Sequence, residues 1–120
     1  ICKIIQKKKS KKNSVKYPKV NSENLEINGV ENKILYIGKS STGFHKRLKD
    51  HLGLSSASTY SLQLKTWIED KNLKKVKLEL YYLPFNFASL EDGFDKNEIL
   101  ELIESSLHYH YRPILGRSGH

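Results

Sequence analysis

A short strand that stops at a glycine and leads directly into an amphipathic helix is the feature that most constrains this chain. The stretch reads ENKILYIGKSSTGFHKRLKDHLG, and its residues 34–38 combine β-branched and aromatic side chains, as strands do. The predicted helix over 43–53 lies between two glycines and carries an apolar stripe at i, i+4 and i+8, formed by Phe44, Leu48 and Leu52. Both elements must bury one face, which favours a fold of mixed α and β structure.

Further strands and helices complete the predicted fold. Apolar periodicity places strands at 14–20, 33–38 and 74–83, and helices within 43–53, 55–72 and 95–111. Pro18 makes the first segment an edge strand or an extended lead-in, and Asn28-Gly29 favours a hairpin-type turn before the second. The order β, β, α, α, β, α predicts an α/β (α+β) domain with a small three-stranded, mostly antiparallel sheet flanked by helices.

The last predicted helix carries the acidic residues of most interest. Asp95 with Glu98 three residues later matches an N-terminal cap, and the helix should end before Pro113. With 3.6 residues per turn, Glu104 falls at the border of the apolar arc, whereas Glu98 and Glu101 fall on the solvent side. Glu104 is therefore the acid that can reach a cleft, although a helix-edge glutamate is most often a solvated surface residue.

Other aromatic and imidazole side chains are expected to be structural. His108 and His110 are two residues apart and so lie on different helix faces, which favours surface or nucleic-acid-facing positions over a metal cluster. Trp67 is expected in the core rather than as a platform for stacked bases.

Positive charge is the strongest functional signal. The chain has 21 Lys and Arg against 13 Asp and Glu, a net charge of +8, which favours a polyanionic partner such as nucleic acid. We expect the lysine run at 6–14 to be a loop or mobile arm, and we divide the chain into a basic arm, 1–13, and one domain, 14–120. The residues expected to contact nucleic acid are Lys7, Lys8, Lys9, Lys11, Lys12, Lys46 and Arg117.

Composition argues against several classes of protein. Cys2 is the only cysteine, so neither a disulfide framework nor a cysteine-rich zinc site can form within one chain. No run of about 18 apolar residues is present, and the opening ICKIIQ is too short for a signal peptide, so we expect no membrane span. Because the chain begins at Ile1 and lacks methionine, we expect it to be a fragment of its gene product, working in a reducing, cytoplasmic setting.

Three ordered blocks, LYIGKS, RLKDHL and LIESSLHYHYRP, resemble the GIY-YIG nuclease superfamily of restriction and repair endonucleases. The resemblance covers roughly residues 14–119. The matching positions are Tyr36-Ile37-Gly38 for the YIG tripeptide, Arg47 and His51 for the arginine of the first helix with a histidine one turn later, and Glu104 and Pro113 for the metal-binding glutamate and its following proline.

The resemblance implies phosphodiester hydrolysis with one divalent ion, Mg²⁺ or Mn²⁺. Glu104 would hold that ion, because Mg²⁺ is often bound by one or two carboxylates plus waters and substrate oxygens. Arg47 would grip a phosphate oxygen bidentately. The family's paired tyrosines imply that Tyr17 deprotonates the attacking water and that Tyr36 positions the water or the phosphate.

Two basic side chains support these implied roles. A tyrosine is a poor base with an ordinary pKa near 10, and Lys39, three residues after Tyr36, could lower that pKa. His51 would serve as a phosphate ligand or as an alternative base.

Two positions depart from the family pattern. Val15 stands where the GIY glycine is usual, with Tyr17 as the counterpart of the GIY tyrosine. Gly116 stands where many relatives carry asparagine, three residues after the proline, and Arg117 or Ser118 would then make the contact.

The predicted function is metal-dependent DNA endonuclease activity, with duplex DNA as the substrate. The alternatives are a non-catalytic nucleic-acid-binding module on the same scaffold, an RNA-directed nuclease, and a basic ribosome-associated domain. Duplex cleavage by a single-site domain implies a homodimer or sequential nicking, and a targeting domain could lie outside this chain. Compact members of the resembled family point to a bacterial or phage source.

Overall fold

The computed structural model describes residues 2–11, 15–24, 34–87 and 93–117. Its helices, in chain order, are α1 (Cys2–Lys11), α2 (Phe44–Leu52), α3 (Leu64–Trp67), a 3₁₀-helix (Leu73–Lys75) and α4 (Lys96–Tyr111). Within these ranges, no helix has the combined length and apolarity that a bilayer crossing needs.

Glycines set the limits of α2, as the sequence predicted. Gly43 at its N-terminal end has φ +115°, and Gly53 at its C-terminal end is left-handed with φ +84°. The Gly53 amide donates to the carbonyls of Asp50 and Lys49, so the last turn of α2 is closed by backbone hydrogen bonds.

Helix α4 also has the predicted bounds. The Asp95 side chain accepts a hydrogen bond from the Asn97 amide, as an N-terminal cap does, and Glu98 lies in the first turn. Arg112, the residue before Pro113, adopts a left-handed conformation with φ 51° and ends the helix.

The predicted three-stranded sheet is wrong: the described residues form isolated β-bridges and no β-strand. Leu115 makes both bridges, an antiparallel one to Val20 and a parallel one to Tyr36. The Leu115 amide donates to the Leu35 carbonyl at 2.9 Å, and the Gly116 amide donates to the Lys19 carbonyl at 2.7 Å. Gly116 has φ +91°, which turns the chain and ends both pairings after one residue.

The chain after Pro113 therefore lies between two of the predicted strand segments, 14–20 and 33–38. Two asparagines hold it there: Asn21 donates to the carbonyls of Pro113 and Gly116, and Asn24 donates to the Pro113 carbonyl at 2.8 Å. Residues 76–83 form no strand: the backbone is extended at Val76, and residues 77–83 make no backbone hydrogen bond to another described residue. The predicted turn at Asn28-Gly29 lies outside the described residues.

The lysine run begins as a helix, which corrects the predicted loop over residues 6–11; residues 12–14 lie outside the described ranges. Helix α1 is anchored by Ile5, which is fully buried in the core, and by Ile4, which packs against it. Lys8 lies one turn after Ile4, and its Nζ donates to the Thr66 carbonyl at 3.1 Å.

The core lies between α1, α3 and the segment after α4. Its buried members are Ile5, Tyr17, Leu62, Trp67, Leu73, Ile114 and Leu115. Trp67 is 4% exposed, and its indole Nε1 donates to the Leu62 carbonyl at 2.8 Å, which confirms the predicted core position.

Candidate functional site

The Tyr36 ring lies against the backbone of two glycines. A Cβ atom added at Gly38 would lie 2.6 Å from Cε1 of Tyr36, and one added at Gly116 would lie 2.8 Å from Cε2. Contacts shorter than 3 Å do not occur at real Cβ atoms, so the ring needs glycine at both positions. Close contact with the Tyr36 ring therefore explains why this chain carries glycine at position 116, where many members of the resembled family carry asparagine.

Arg47 on α2 donates directly to the Tyr36 hydroxyl. Its Nη2 lies 2.9 Å from the phenol oxygen and 3.1 Å from the carbonyl oxygen of Tyr60. Its Nη1 faces Oδ2 of Asp50 at 3.4 Å. The three contacts fix the guanidinium plane beside the phenol, with the side chain still 26% exposed. An arginine held in this way can offer its remaining N–H groups to an anion.

Asp50 is the buried acid that orients this helix face. The side chain of Ser55 donates a hydrogen bond to it, and together with the positive charges of Lys46 and Arg47 this lowers the pKa of Asp50 below its ordinary value, against the opposing effect of burial. Lys46 is exposed, and its Nζ lies 3.6 Å from Oδ2 of Asp50. Asp50 therefore stays ionised and keeps one charge fixed opposite Arg47.

His51 also contacts the Tyr36 ring. The two rings meet edge to face, with centroids 4.6 Å apart at 65°. The Leu62 amide donates to Nδ1 of His51 at 3.1 Å, so the neutral imidazole carries its proton on Nε2. Burial, and then the charge of Arg47, lower the pKa of His51 from 6.5 to about 4, with Asp50 acting in the opposite direction. His51 is thus a neutral hydrogen-bond donor whose Nδ1 lone pair is already occupied.

Helix α4 packs against the segment after Tyr36 through polar residues. His108, predicted at the surface, is 9% exposed, and its Nε2 lies 3.0 Å from the carbonyl oxygen of Ile37. Glu101, predicted on the solvent side, faces Lys39 with 3.3 Å between Oε1 and Nζ. The Lys39 Nζ is buried and lacks hydrogen-bond geometry to any described residue, so the pair is a charge contact only.

Glu104 lies on this same face of α4. At 100° per residue it falls within about 60° of both Glu101 and His108, which contact Lys39 and Ile37. Its side chain is 7% exposed, more buried than the predicted border position. Glu104 is therefore a buried acid on the face of α4 that carries Glu101 and His108.

Tyr17 does not join this cluster through any described contact. Its side chain is fully buried, and its hydroxyl lies 2.8 Å from Oγ1 of Thr66. Since the Thr66 hydroxyl donates to the Gln63 carbonyl, the Tyr17 phenol is the donor to Thr66. The Tyr17 phenol is thus a buried member of the core, hydrogen-bonded to Thr66.

The residues predicted to contact nucleic acid are only partly described. Arg117 and Lys46 are exposed, and Lys8 is partly buried by its contact with Thr66. The side chains of Lys7, Lys9 and Lys11 lie outside the described ones, and Lys12 and Ser118 lie outside the described residues.

Sequence reasoning missed Asp50, Tyr60 and His108. A signal for Asp50 was present, because Lys46 and Arg47 precede it by four and three residues, the spacing of helical ion pairs. Tyr60 contributes a main-chain carbonyl, for which no side-chain pattern exists. His108 was judged from its spacing to His110 rather than from its spacing of four to Glu104.

A single divalent ion at Glu104 stays a prediction from the resemblance. Among the described residues, no group of three or more His, Cys, Asp or Glu side chains could hold a metal. Zinc sites use three or four protein ligands, whereas Mg²⁺ keeps most of its waters and needs one or two carboxylates. The buried Glu104 carboxylate fits the second pattern.

No family model matches this chain, and neither a curated protein nor a solved structure shows significant similarity to it. The resemblance to the GIY-YIG superfamily therefore stays a prediction based on the residues quoted above.

Proposed function

We propose that this chain is a metal-dependent endonuclease of the GIY-YIG type that hydrolyses phosphodiester bonds in DNA. The observation that supports it is the contact of Tyr36 with both Arg47 and His51. These residues come from two of the three blocks that carry the resemblance, and Glu104 of the third block is buried on α4.

The cluster supplies hydrogen-bond donors for a phosphate. Arg47 is held by the Tyr60 carbonyl and Asp50, so its remaining N–H groups bind a phosphate oxygen with little loss of freedom. Nε2–H of His51 is a second donor next to the Tyr36 ring. Donors fixed in advance stabilise the charge that develops in the transition state.

Tyr36 is the tyrosine of this proposal that touches the reacting groups. Its hydroxyl accepts from Arg47 and keeps its own proton for donation, so it can hold the attacking water or a phosphate oxygen in place. Tyr17 is assigned no chemical role, because it is fully buried and donates to Thr66. His51 is assigned as a donor rather than as a base, because its Nδ1 accepts from Leu62.

Glu104 is the residue that would hold one Mg²⁺ or Mn²⁺. Such an ion supplies Lewis-acid stabilisation at the phosphate and lowers the pKa of bound water. Lys39, buried at its Nζ beside Glu101, adds a positive charge to the same face of α4.

A plasmid-nicking assay with Tyr36→Phe tests the role of the cluster. The variant keeps the ring between the two glycines and removes only the hydroxyl, so folding should persist while nicking falls by about 100-fold. Tyr109→Phe is the matched control, since Tyr109 is 75% exposed on α4. Equal nicking by both variants would rule out a chemical role for Tyr36.

A non-catalytic nucleic-acid-binding module is the second candidate. The burial of Tyr17, the counterpart of one of the two tyrosines of the resembled family, favours it. It predicts DNA binding with no nicking in Mg²⁺ or Mn²⁺ by the intact chain. Competition between duplex DNA and structured RNA in the same binding assay identifies the preferred nucleic acid.

A further inference from the structure

An exposed apolar segment follows the 3₁₀-helix. Residues 76–83 have the alternating sequence of a strand and begin with extended backbone at Val76. The apolar side chains after Val76 are mostly in solvent: Leu78 is 43% exposed, Leu80 63%, Tyr82 63% and Leu83 72%. Soluble monomers seldom expose an apolar patch of this kind, which usually marks an interaction surface.

The segment is anchored to the domain at its two ends. Val76 packs against the core, and the Tyr82 ring stacks on Phe44 of α2 with centroids 4.2 Å apart at 17°. Between these anchors, no backbone group of residues 77–81 forms a backbone hydrogen bond to another described residue. An extended segment with unpaired amides and carbonyls is a template for pairing with another strand.

The charges of the segment indicate which strand it pairs with. Lys77 and Glu79 lie on the side opposite to Leu78 and Leu80, and Glu79 accepts from the Tyr81 hydroxyl on that same side at 2.7 Å. We propose that two copies of this chain pair antiparallel along residues 76–80, around a twofold axis at Leu78. Lys77 of each copy then lies directly opposite Glu79 of the other, and Val76 lies opposite Leu80.

Other antiparallel registers are less favourable. A shift of two residues in one direction sets Glu79 opposite Glu79, and a shift in the other direction sets Lys77 opposite Lys77. Like charges directly opposite each other destabilise a strand pair. A shift of one residue sets Leu78 opposite a charged residue, which mixes the apolar and charged sides. A twofold axis at Leu78 alone joins opposite charges on one side and apolar side chains on the other.

This proposal does not depend on the nuclease proposal, because it concerns the self-association of the chain. Charge reversal tests it by analytical ultracentrifugation of the full chain at low ionic strength. Lys77→Glu and Glu79→Lys should each raise the dissociation constant of the dimer by about tenfold, since each turns two attractive pairs into repulsive ones.

The double variant Lys77→Glu with Glu79→Lys exchanges the two charges and should restore the affinity to within about threefold of the intact chain. Lys71→Glu is the control, because Lys71 is exposed outside the segment and carries the same change of charge. A chain that is monomeric at all concentrations would overturn the proposal. So would a dimer that the single reversals leave unchanged, or one that the double variant fails to restore.

Discussion

Acidification should destabilise this domain through one histidine, His51. Burial and the charge of Arg47 lower its pKa from 6.5 to about 4, so the unfolded chain binds a proton in this range that the folded chain does not. Stability therefore falls as the pH falls from 6.5, and the loss is complete below about 4.

The size of the effect follows from the two pKa values. Each unit of difference corresponds to about 1.4 kcal/mol, so the full difference amounts to at most about 3.5 kcal/mol. Between pH 7 and pH 5, linkage predicts a loss of about 2 kcal/mol from this residue, as an upper value for a side chain that keeps some contact with solvent.

Urea unfolding at pH 7 and pH 5 measures this loss of unfolding free energy. His51→Asn places an amide oxygen near the position of Nδ1, which can accept from the Leu62 amide, and it removes the titrating group. His45→Asn is the control, because His45 is exposed on the same helix. The intact chain and the control should lose about 2 kcal/mol more than His51→Asn on acidification. The same loss in all three proteins would refute the burial argument.

Two further predictions concern the support of the cluster. Gly116→Ala should cost at least about 1 kcal/mol of stability from the positive φ alone, and more from the contact of its Cβ with Tyr36. Gly93→Ala is the control, because Gly93 has φ +99° and a Cβ added there would have no neighbour within 4 Å. An equal loss of stability in both variants would show that the contact with Tyr36 contributes nothing. The lowered pKa of Asp50 stabilises the folded chain above pH 3.8, and the intact chain loses this stabilisation as the pH falls below that value. Asp50→Asn should lack this stabilisation at every pH. Unfolding curves from pH 5 to pH 2 that are parallel for the two proteins would contradict this.

The two long amphipathic segments were predictable because their signals are local. Gly43 and Gly53 set the limits of α2, and Asp95 capped α4, within a few residues of the helices that they end. Trp67 was placed in the core by size and composition alone.

The two β-bridges that stand in place of the predicted sheet could not be predicted, because they join distant segments. Leu115 lies in a tail without strand periodicity, yet it makes the bridges to both Val20 and Tyr36. The clear alternation at 76–83 indicated a strand but could not show that it would remain unpaired with the described residues.

Two surface predictions failed for related reasons. The lysine run was expected to form a loop or mobile arm, because its like charges repel each other. It begins as a helix instead, since lysine is a good helix former and Ile5 anchors the helix in the core. His108 was expected at the surface, but it lies on a polar face of α4 that contacts Ile37 and Lys39. The Ile37 carbonyl provides a hydrogen-bond partner for the imidazole. Partners from the main chain leave no trace in the sequence.

For the candidate site, the YIG, arginine and histidine positions were predictable as a group, and the structure brings Tyr36, Arg47 and His51 into contact. The position of Tyr17 outside this cluster was not predictable, because the burial of Tyr17 involves a contact with Thr66 in a distant part of the chain.

The most direct measurement is plasmid nicking in Mg²⁺ or Mn²⁺ by the intact chain and by Glu104→Gln, with DNA binding measured in parallel. Glu98→Gln is the control, because Glu98 is exposed in the first turn of the same helix. The nuclease account predicts metal-dependent nicking by the intact chain and the control, and a loss of at least about 100-fold in Glu104→Gln with binding retained. Binding without nicking by the intact chain in either metal would contradict it.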